Sequence, residues 1–294
     1  MYVVTLLSAR RDPRVNRTLA EEAAGEIGEA ETIWLEPDVA CDLVTQEPLD
    51  AGTRERLREL AAGAAVDCVV QELHGRRKRI LIADMDSTMI DQECIDELAD
   101  AVGIKPQVAA ITARAMNGEI AFEPALRERV ALLAGLPVTV IADVIARHIT
   151  LAEGGATLVR TMVREGAHTA LVSGGFTAFT SVIAERLGFV ENRANTLIVD
   201  GDRLAGTVAE PILGAEAKLK ALHEIASAHR LAPADAIAVG DGANDLPMVK
   251  AAGLGVAYHA KPVVAAAAAA WIDHGDLTAL LWAQGIPRAE WVSE

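Results

Sequence analysis

The sequence predicts an α/β protein: a doubly wound parallel sheet carrying an inserted helical cap, preceded by a small α+β unit. Three observations predict it. Apolar runs that read as strands end at Asp84, Ser173 and Asp241, with helical stretches such as 155–166 and 215–229 between them. Such alternation argues for a parallel sheet with helices on both faces. Between the first two of these strands lies a mostly helical insertion, residues 92–152, too long for a crossover helix. Residues 1–76 show a different order, βαββαβ.

The first unit reads as follows. YVVTLL (2–7) is a strand, and 16–27 a helix with Leu19 and Ala23 at helical spacing. Residues 31–46 hold two short strands around Glu36-Pro37-Asp38. Residues 50–62 form a second helix with Asp50 as its N-cap, and 65–71 (AVDCVVQ) a fourth strand. The order resembles the ACT family of small regulatory domains, which implies a regulatory or dimerisation unit, an amino acid as effector and a homodimer as assembly. The basic run His74 to Arg79 is expected to be a solvated linker.

From residue 77 to 294 the chain reads as the catalytic core. Its strands include ILIA before Asp84, HTALV before Ser173, AIAVG before Asp241, then GVAYH and WIDH. The insertion breaks at Gly and Pro into four helices: CIDELADAVG, KPQVAAITARAMNG, FEPALRERVALLAG and PVTVIADVIARH. A cap of this kind can exclude water and complete a site on closing.

Composition narrows the function. Hydrophobic residues make up 51% of 294, enough for a sizeable core, and the formal charge of −15 argues against nucleic acid or anionic membrane as partner. Cys41, Cys68 and Cys94 are odd in number and scattered, which suggests no disulfide framework and no zinc site. The apolar stretch at the N-terminus is too short for a signal core, and Val263–Ile272 too short to span a bilayer. A cytoplasmic protein acting on a small molecule is expected.

Chemistry gathers at the strand ends, where ligands bind in open parallel sheets. An unpaired carboxylate is costly inside a core, so Asp84-x-Asp86 after ILIA marks a rim. Asp84 and Asp241, brought together from two strands, suit magnesium, which prefers hard oxygen ligands. Crowded carboxylates titrate apart, leaving one ionised as nucleophile beside a general acid. Ser173-Gly174-Gly175 offers a hydroxyl and backbone N–H groups to an anion, and Lys218 a positive charge. Asp241 and Asp245 lie within GDGAND, whose glycines allow close backbone approach. Taken singly, Lys218 reads as a surface lysine and Asp245 as a helix cap; the ordered set is much harder to ascribe to chance.

This set resembles the haloacid-dehalogenase-like (HAD) superfamily over residues 80 to about 285 and, within it, the phosphoserine phosphatase family. The matching residues are Asp84-Met85-Asp86-Ser87-Thr88, Glu93, Arg129, Ser173 to Phe176 and Gly240 to Asp245. The resemblance implies a HAD-type Rossmann-like core and magnesium-dependent hydrolysis of O-phospho-L-serine, the last step of serine biosynthesis. Asp84 would attack phosphorus and Asp86 would protonate the leaving oxygen. Mg²⁺ would be held by Asp84, Asp241 and the backbone carbonyl of Asp86. Ser173, Gly174 and Lys218 would bind phosphoryl oxygens, and Asn244 the substrate. Glu93 would pair with the ammonium and Arg129 with the carboxylate. Arg127 competes for that last role, but the two arginines stand about 200° apart on a helix. Met116 and Phe122 would line the apolar side. Asp245 would orient Lys218 or a metal-bound water. The rivals are another HAD small-molecule phosphatase, a haloacid dehalogenase (which has no use for an acid at 86) and an amino-acid-sensing binding protein. All catalytic groups lie beyond residue 80, so the N-terminal unit is expected to be dispensable for chemistry.

Overall fold

The structure, a computed structural model, describes residues 1–116 and 119–292, without the side chain of Met116. The N-terminal order is borne out as β1 (Tyr2–Leu7), α1 (Arg17–Ile27), β2 (Glu31–Glu36), β3 (Ala40–Thr45), α2 (Ala51–Gly63) and β4 (Asp67–Glu72). The four strands pair antiparallel in the order β2-β3-β1-β4. Asn16 and Asp50 cap the two helices, accepting hydrogen bonds from the N–H of Leu19 (2.9 Å) and Thr53 (2.8 Å). Strand alternation sends Val4 and Leu6 toward Leu19, Ala23, Leu57 and Ala61 of these helices. Leu7 and Val69 face the other way and join the apolar core of the larger unit.

That larger unit begins with β5 (Ile80–Ala83). The cap follows as α3 (Cys94–Ala101), α4 (Lys105–Met116), α5 (Phe122–Ala131) and α6 (Thr139–Arg147). The chain then returns through α7 (Gly155–Arg164), β6 (His168–Phe176), α8 (Thr177–Leu187) and β7 (Glu191–Asn195). A hairpin, β8 (Leu197–Asp200) and β9 (Arg203–Val208), precedes α9 (Ala215–Ala228) and β10 (Ala236–Gly240). The remainder is α10 (Leu246–Ala251), β11 (Leu254–Tyr258), α11 (Pro262–Ala265), β12 (Ala270–Ile272) and α12 (Ala279–Ala283). The sheet runs β12-β11-β10-β5-β6-β7, and all its pairs are parallel.

All four residues of β5 are fully buried. Leu81 and Ala83 pack on the cap-side core, while Ile80 and Ile82 pack beneath α9 and α10. This is why the strand reads as a continuous apolar run rather than an alternating one. Connections leave β5 toward β6 on one side while β10 lies on the other, so its carboxyl end sits where the winding reverses. Ala83 pairs with Val239 and with Leu171. That register brings Asp84, Asp241 and Ser173 to one edge.

The expected solvated linker is solvated only in part: His74, Gly75, Arg77 and Arg79 are exposed, while Arg76 and Lys78 are drawn in. The Arg76 side chain is 14% exposed, and its guanidinium donates to the fully buried Asp42 carboxylate at 2.7 Å. Asp42 also accepts from the Thr5 hydroxyl at 2.7 Å. The Lys78 N–H donates to Gln284 at 2.9 Å, and Arg77 pairs with Glu290 at 3.0 Å. Arg76 looks solvated in sequence because the carboxylate that draws it in, Asp42, lies 34 residues back along the chain.

Asp67 at the start of β4 clamps the two units together. Its carboxylate accepts from the backbone N–H of Asp273 (2.8 Å), His274 (3.2 Å) and Gly275 (2.8 Å). Burial holds this carboxyl above its ordinary value, with the three N–H groups acting in the opposite direction. Asp67→Ala leaves those donors unanswered and is expected to cost about 2–3 kcal/mol of stability. Urea unfolding would measure it; a loss under about 0.5 kcal/mol would show that the clamp contributes nothing.

Candidate active site

Asp84 stands one residue past β5 and is 5% exposed. Its Oδ1 accepts from the Lys218 ammonium at 2.7 Å and from the Met85 N–H at 2.8 Å. Lys218 projects from α9, is fully buried, and reaches the Asp245 Oδ1 at 2.6 Å as well. Burial alone would lower the lysine, but its two carboxylate neighbours outweigh that and hold it above the ordinary value. Asp84 is pushed well above the usual carboxylate range by burial and the Asp245 charge, with Lys218 acting in the opposite direction.

Asp86 is placed for another task. Its Oδ1 accepts from the Cys94 N–H at 2.9 Å, and its Oδ2 faces the Ser173 hydroxyl at 3.4 Å. Burial raises this carboxyl while the Cys94 and Ser173 contacts lower it. The Ser173 oxygen in turn accepts from the Gly175 N–H at 2.8 Å. A Cβ at Gly175 would stand 2.8 Å from Asp86 Oδ2, so only glycine lets the turn approach the acid this closely.

Beyond β10, Asp241 faces the same cleft, with Thr88 donating to it at 3.3 Å. Burial and the Asp245 charge raise its carboxyl. Asp245 stands at the N-cap position of α10, but its side chain makes no capping bond: its Oδ1 takes Lys218, and its Oδ2 accepts from the Gly242 N–H at 3.1 Å. A Cβ at Gly240 would collide with the Asp245 carboxylate, so glycine is required there. Carboxylate oxygens of Asp84, Asp241 and Asp245 lie within 4.8 Å of one another. Since Asp245 is fully engaged, the second oxygen of Asp84, the Asp241 carboxylate and the Asp86 carbonyl remain. That carbonyl accepts no hydrogen bond among the described residues. This all-oxygen, negatively charged donor set fits magnesium. The Asp86 side chain itself is not part of the cluster.

The cap closes the opposite wall. A cavity of 680 Å³ is lined by Asp84, Asp86, Ser173, Gly174, Asp241 and Asn244 from the core, and by Glu93, Phe122 and Arg129 from the cap side. Glu93 accepts from the Ser87 hydroxyl at 2.9 Å. Although part of the residue reaches solvent, crowding by burial and Asp86 pushes its carboxyl up to about 7. Arg129 is half-buried and makes no ion pair among the described residues, holding only Ala125 O (3.3 Å) and Thr112 (3.5 Å). Arg127 points out to solvent, paired with Glu210 at 2.6 Å and Glu123 at 3.3 Å. The expectation for the Met116 side chain falls outside the described residues.

Lys261, just before α11, also lines the cavity and was not singled out in the sequence; Pro262 at the helix start was the available signal. Asn195 was missed too. It is 3% exposed, and its Nδ2 donates to Gly174 O (2.8 Å) and Leu213 O (3.1 Å) while its Oδ1 accepts from Leu213 N–H (2.7 Å). It thereby fixes the Ser-Gly-Gly turn to the loop before α9.

Comparison with known proteins follows the same lines. Residues 81–250 match the haloacid dehalogenase-like hydrolase family. The chain is 44% identical over 216 residues to a phosphoserine phosphatase of Archaeoglobus fulgidus, covering 73% of this chain and 62% of that protein. This chain therefore spans less than two thirds of that relative's length. A phosphoserine phosphatase of Polaromonas sp. is 43% identical over 228 residues, with 76% of this chain and 97% of that one covered. Among solved structures, a probable phosphoserine phosphatase from Vibrio cholerae superposes with a TM-score of 0.79 at 29% identity, covering 98% of this chain and 87% of that one. A family match over more than half of the residues and a relative covered almost end to end lead to one conclusion: the chain belongs to the haloacid dehalogenase-like hydrolases, in their phosphoserine phosphatase branch.

Proposed function

We propose that this chain hydrolyses O-phospho-L-serine to L-serine and phosphate through an aspartyl-phosphate on Asp84. One observation carries the reading: Arg129, half-buried and without an ion pair among the described residues, faces the same cavity as Asp84 and Asp86. Asp84 attacks phosphorus through a carboxylate oxygen. Asp86 gives its proton to the departing serine oxygen, then takes one from the water that hydrolyses the intermediate. Lys218, the Ser173 hydroxyl and the backbone at Gly174 hold phosphoryl oxygens. Asn244 contacts the substrate, while Asp245 keeps Lys218 aimed. Magnesium, held by Asp84, Asp241 and the Asp86 carbonyl, would neutralise charge on the transferring group. Glu93 meets the substrate ammonium and Arg129 its carboxylate. Residues 1–76 are proposed as the regulatory or dimerisation domain, 77–294 as the phosphatase core and 92–152 as its cap. A cytoplasmic setting, a homodimer and an amino-acid effector at the N-terminal unit belong to the same proposal.

Phosphate release from L-phosphoserine, with and without magnesium after chelation, tests the activity. No release with magnesium present would overturn it. Substrate choice has a sharper test. A charged hydrogen bond of this kind contributes roughly 2–3 kcal/mol, so Arg129→Ala should lower kcat/KM for phosphoserine by ~30–150-fold. Phosphoethanolamine, which lacks the carboxylate, should be nearly unaffected, and Arg127→Ala should change neither. Equal losses on both substrates would remove Arg129 as the carboxylate anchor.

The leaving-group acid is separable. Asp86→Asn should slow phosphoserine far more than an aryl phosphate, whose leaving group departs without a proton. Equal slowing of the two classes would count against Asp86.

A further inference from the structure

Lys261 has no task in the reaction described above, yet it stands at the mouth of the cleft. It follows β11 by three residues and precedes α11. β11 pairs parallel with β10, Gly240 opposite Ala257, so its carboxyl end reaches the same edge as Asp241. Lys261 lines the 680 Å³ cavity along with Gly242 and Asn244. Val263, 63% exposed, lines it too, so this segment is a lip between the cavity and solvent. Lys261 is itself exposed, and its ammonium has no hydrogen bond or ion pair among the described residues. Its charge still reaches inward: of the groups that pull the Asp241 carboxyl down, Lys261 acts more strongly than Lys218.

The surrounding charge gives this position its weight. Asp84, Asp86, Glu93, Asp96 and Asp241 all line the cavity. Lys218 is fully buried and held between two carboxylates. Among the described residues that line the cavity, the cations are Arg129 and Lys261, and Arg129 stands on the cap. The chain as a whole carries a formal charge of −15. A phosphate monoester carries about −1.5 to −2 at pH 7, so it approaches against the field of the protein. A low-dielectric cleft focuses the field of the charges at its mouth, which makes one cation on the lip count for more than one elsewhere on the surface.

We propose that Lys261 recruits the substrate: its ammonium draws the phosphoryl group to the open cleft by charge, across solvent, and takes no part in the chemical step. The inference rests on the phosphatase reading of this cleft. It divides the handling of one anion between two lysines, Lys261 outside for capture and Lys218 inside for reaction. A group that acts equally before and in the transition state changes kcat/KM and leaves kcat alone. Because the attraction runs through water, salt screens it.

Phosphoserine hydrolysis by the full chain is measured first, at fixed magnesium. A wild type that releases no phosphate removes the phosphatase reading, and the proposal with it, before any variant is compared. With an active wild type, Lys261→Ala should lower kcat/KM roughly five- to ten-fold at about 20 mM ionic strength. The deficit should shrink to about two-fold or less at about 0.5 M salt, with kcat within about two-fold throughout. Lys261→Glu should deepen the low-salt loss to roughly 25–100-fold, and Lys261→Arg should keep the wild-type value. Inorganic phosphate should inhibit Lys261→Ala more weakly by a similar factor. Inhibition by L-serine, which has no net charge, should be unchanged. Lys250 is exposed on α10 and forms no part of the cavity wall, so Lys250→Ala alters the net charge equally and should change nothing. Full activity of both Lys261→Ala and Lys261→Glu at low salt overturns the proposal. A loss that appears in kcat and persists at high salt overturns it as well, because Lys261 would then touch the transferring group. So does inhibition by L-serine weakened as much as that by phosphate, which marks a general disturbance of the cleft. A loss in Lys250→Ala equal to that in Lys261→Ala would assign the effect to net charge and end the claim for this position.

Discussion

Asp84→Asn is expected to abolish phosphoserine turnover, with kcat falling at least ~10³-fold while the fold stays intact. An amide oxygen is a far weaker nucleophile than a carboxylate, and no neighbour can take over. Asp86 is engaged with Cys94 and Ser173, and the Asp245 oxygens are engaged with Lys218 and Gly242. Asparagine keeps the shape and can still accept from the Met85 N–H and from Lys218. It also removes a buried charge already pushed well above the carboxylate range, so the thermal midpoint should move little. Rapid acid quench of the wild type during turnover, followed by peptide mapping, should find the phosphoryl group on Asp84. A label on Asp86 or Asp241 would reassign the nucleophile.

Lys218→Met should be the most destabilising change in the site. The substitution conserves volume but withdraws the one cation shared by two buried carboxylates, at 2.7 and 2.6 Å. Breaking a buried pair from one side typically costs about 3–5 kcal/mol, because the partner is left charged and unpaired. Activity should fall with it, since Asp84 loses its anchor and the phosphoryl oxygens a positive charge. Adding Asp245→Asn to Lys218→Met should return part of the stability, but not the activity. Urea unfolding of the three proteins separates these effects. A single variant within about 1 kcal/mol of wild type would mean that the carboxylates simply take up protons and that the pair contributes little.

Much of this site was legible in sequence because each part carries a local signal. An apolar run stopped by Asp84-x-Asp86, a Ser-Gly-Gly turn and a GDGAND loop each state their own conformation, and the parallel sheet brings their ends together. The choice of Arg129 over Arg127 was half legible: helical geometry demanded that one face away, but which one depended on Glu210 and Glu123 drawing Arg127 outward. β7 and the β8–β9 hairpin were missed. Glu191-Asn-Arg-Ala-Asn is too polar to read as a strand, and it becomes one only by pairing with β6. Asn195 was hidden with it.

Residue type and spacing were therefore sufficient for the N-terminal element order, the strands that end at the site, the cap insertion and the placing of the acids and glycines at the strand ends. Those features rest on interactions within a few residues or on a sheet rule that needs no coordinates. Whether Lys218 was a surface lysine or a buried bridge, whether the Asp245 side chain capped a helix or held that lysine, and whether Arg76 in the basic run stayed in solvent were decided by partners 27 and 34 residues away or farther. The same is true of the N-terminal sheet, whose Asp67 finds its donors at residues 273–275. A charged side chain carries no record in its neighbours of what will desolvate it. Only the packed chain supplies the counter-charge, and burial then makes that pairing worth several kcal/mol, where in solvent it would be worth about 1 or less.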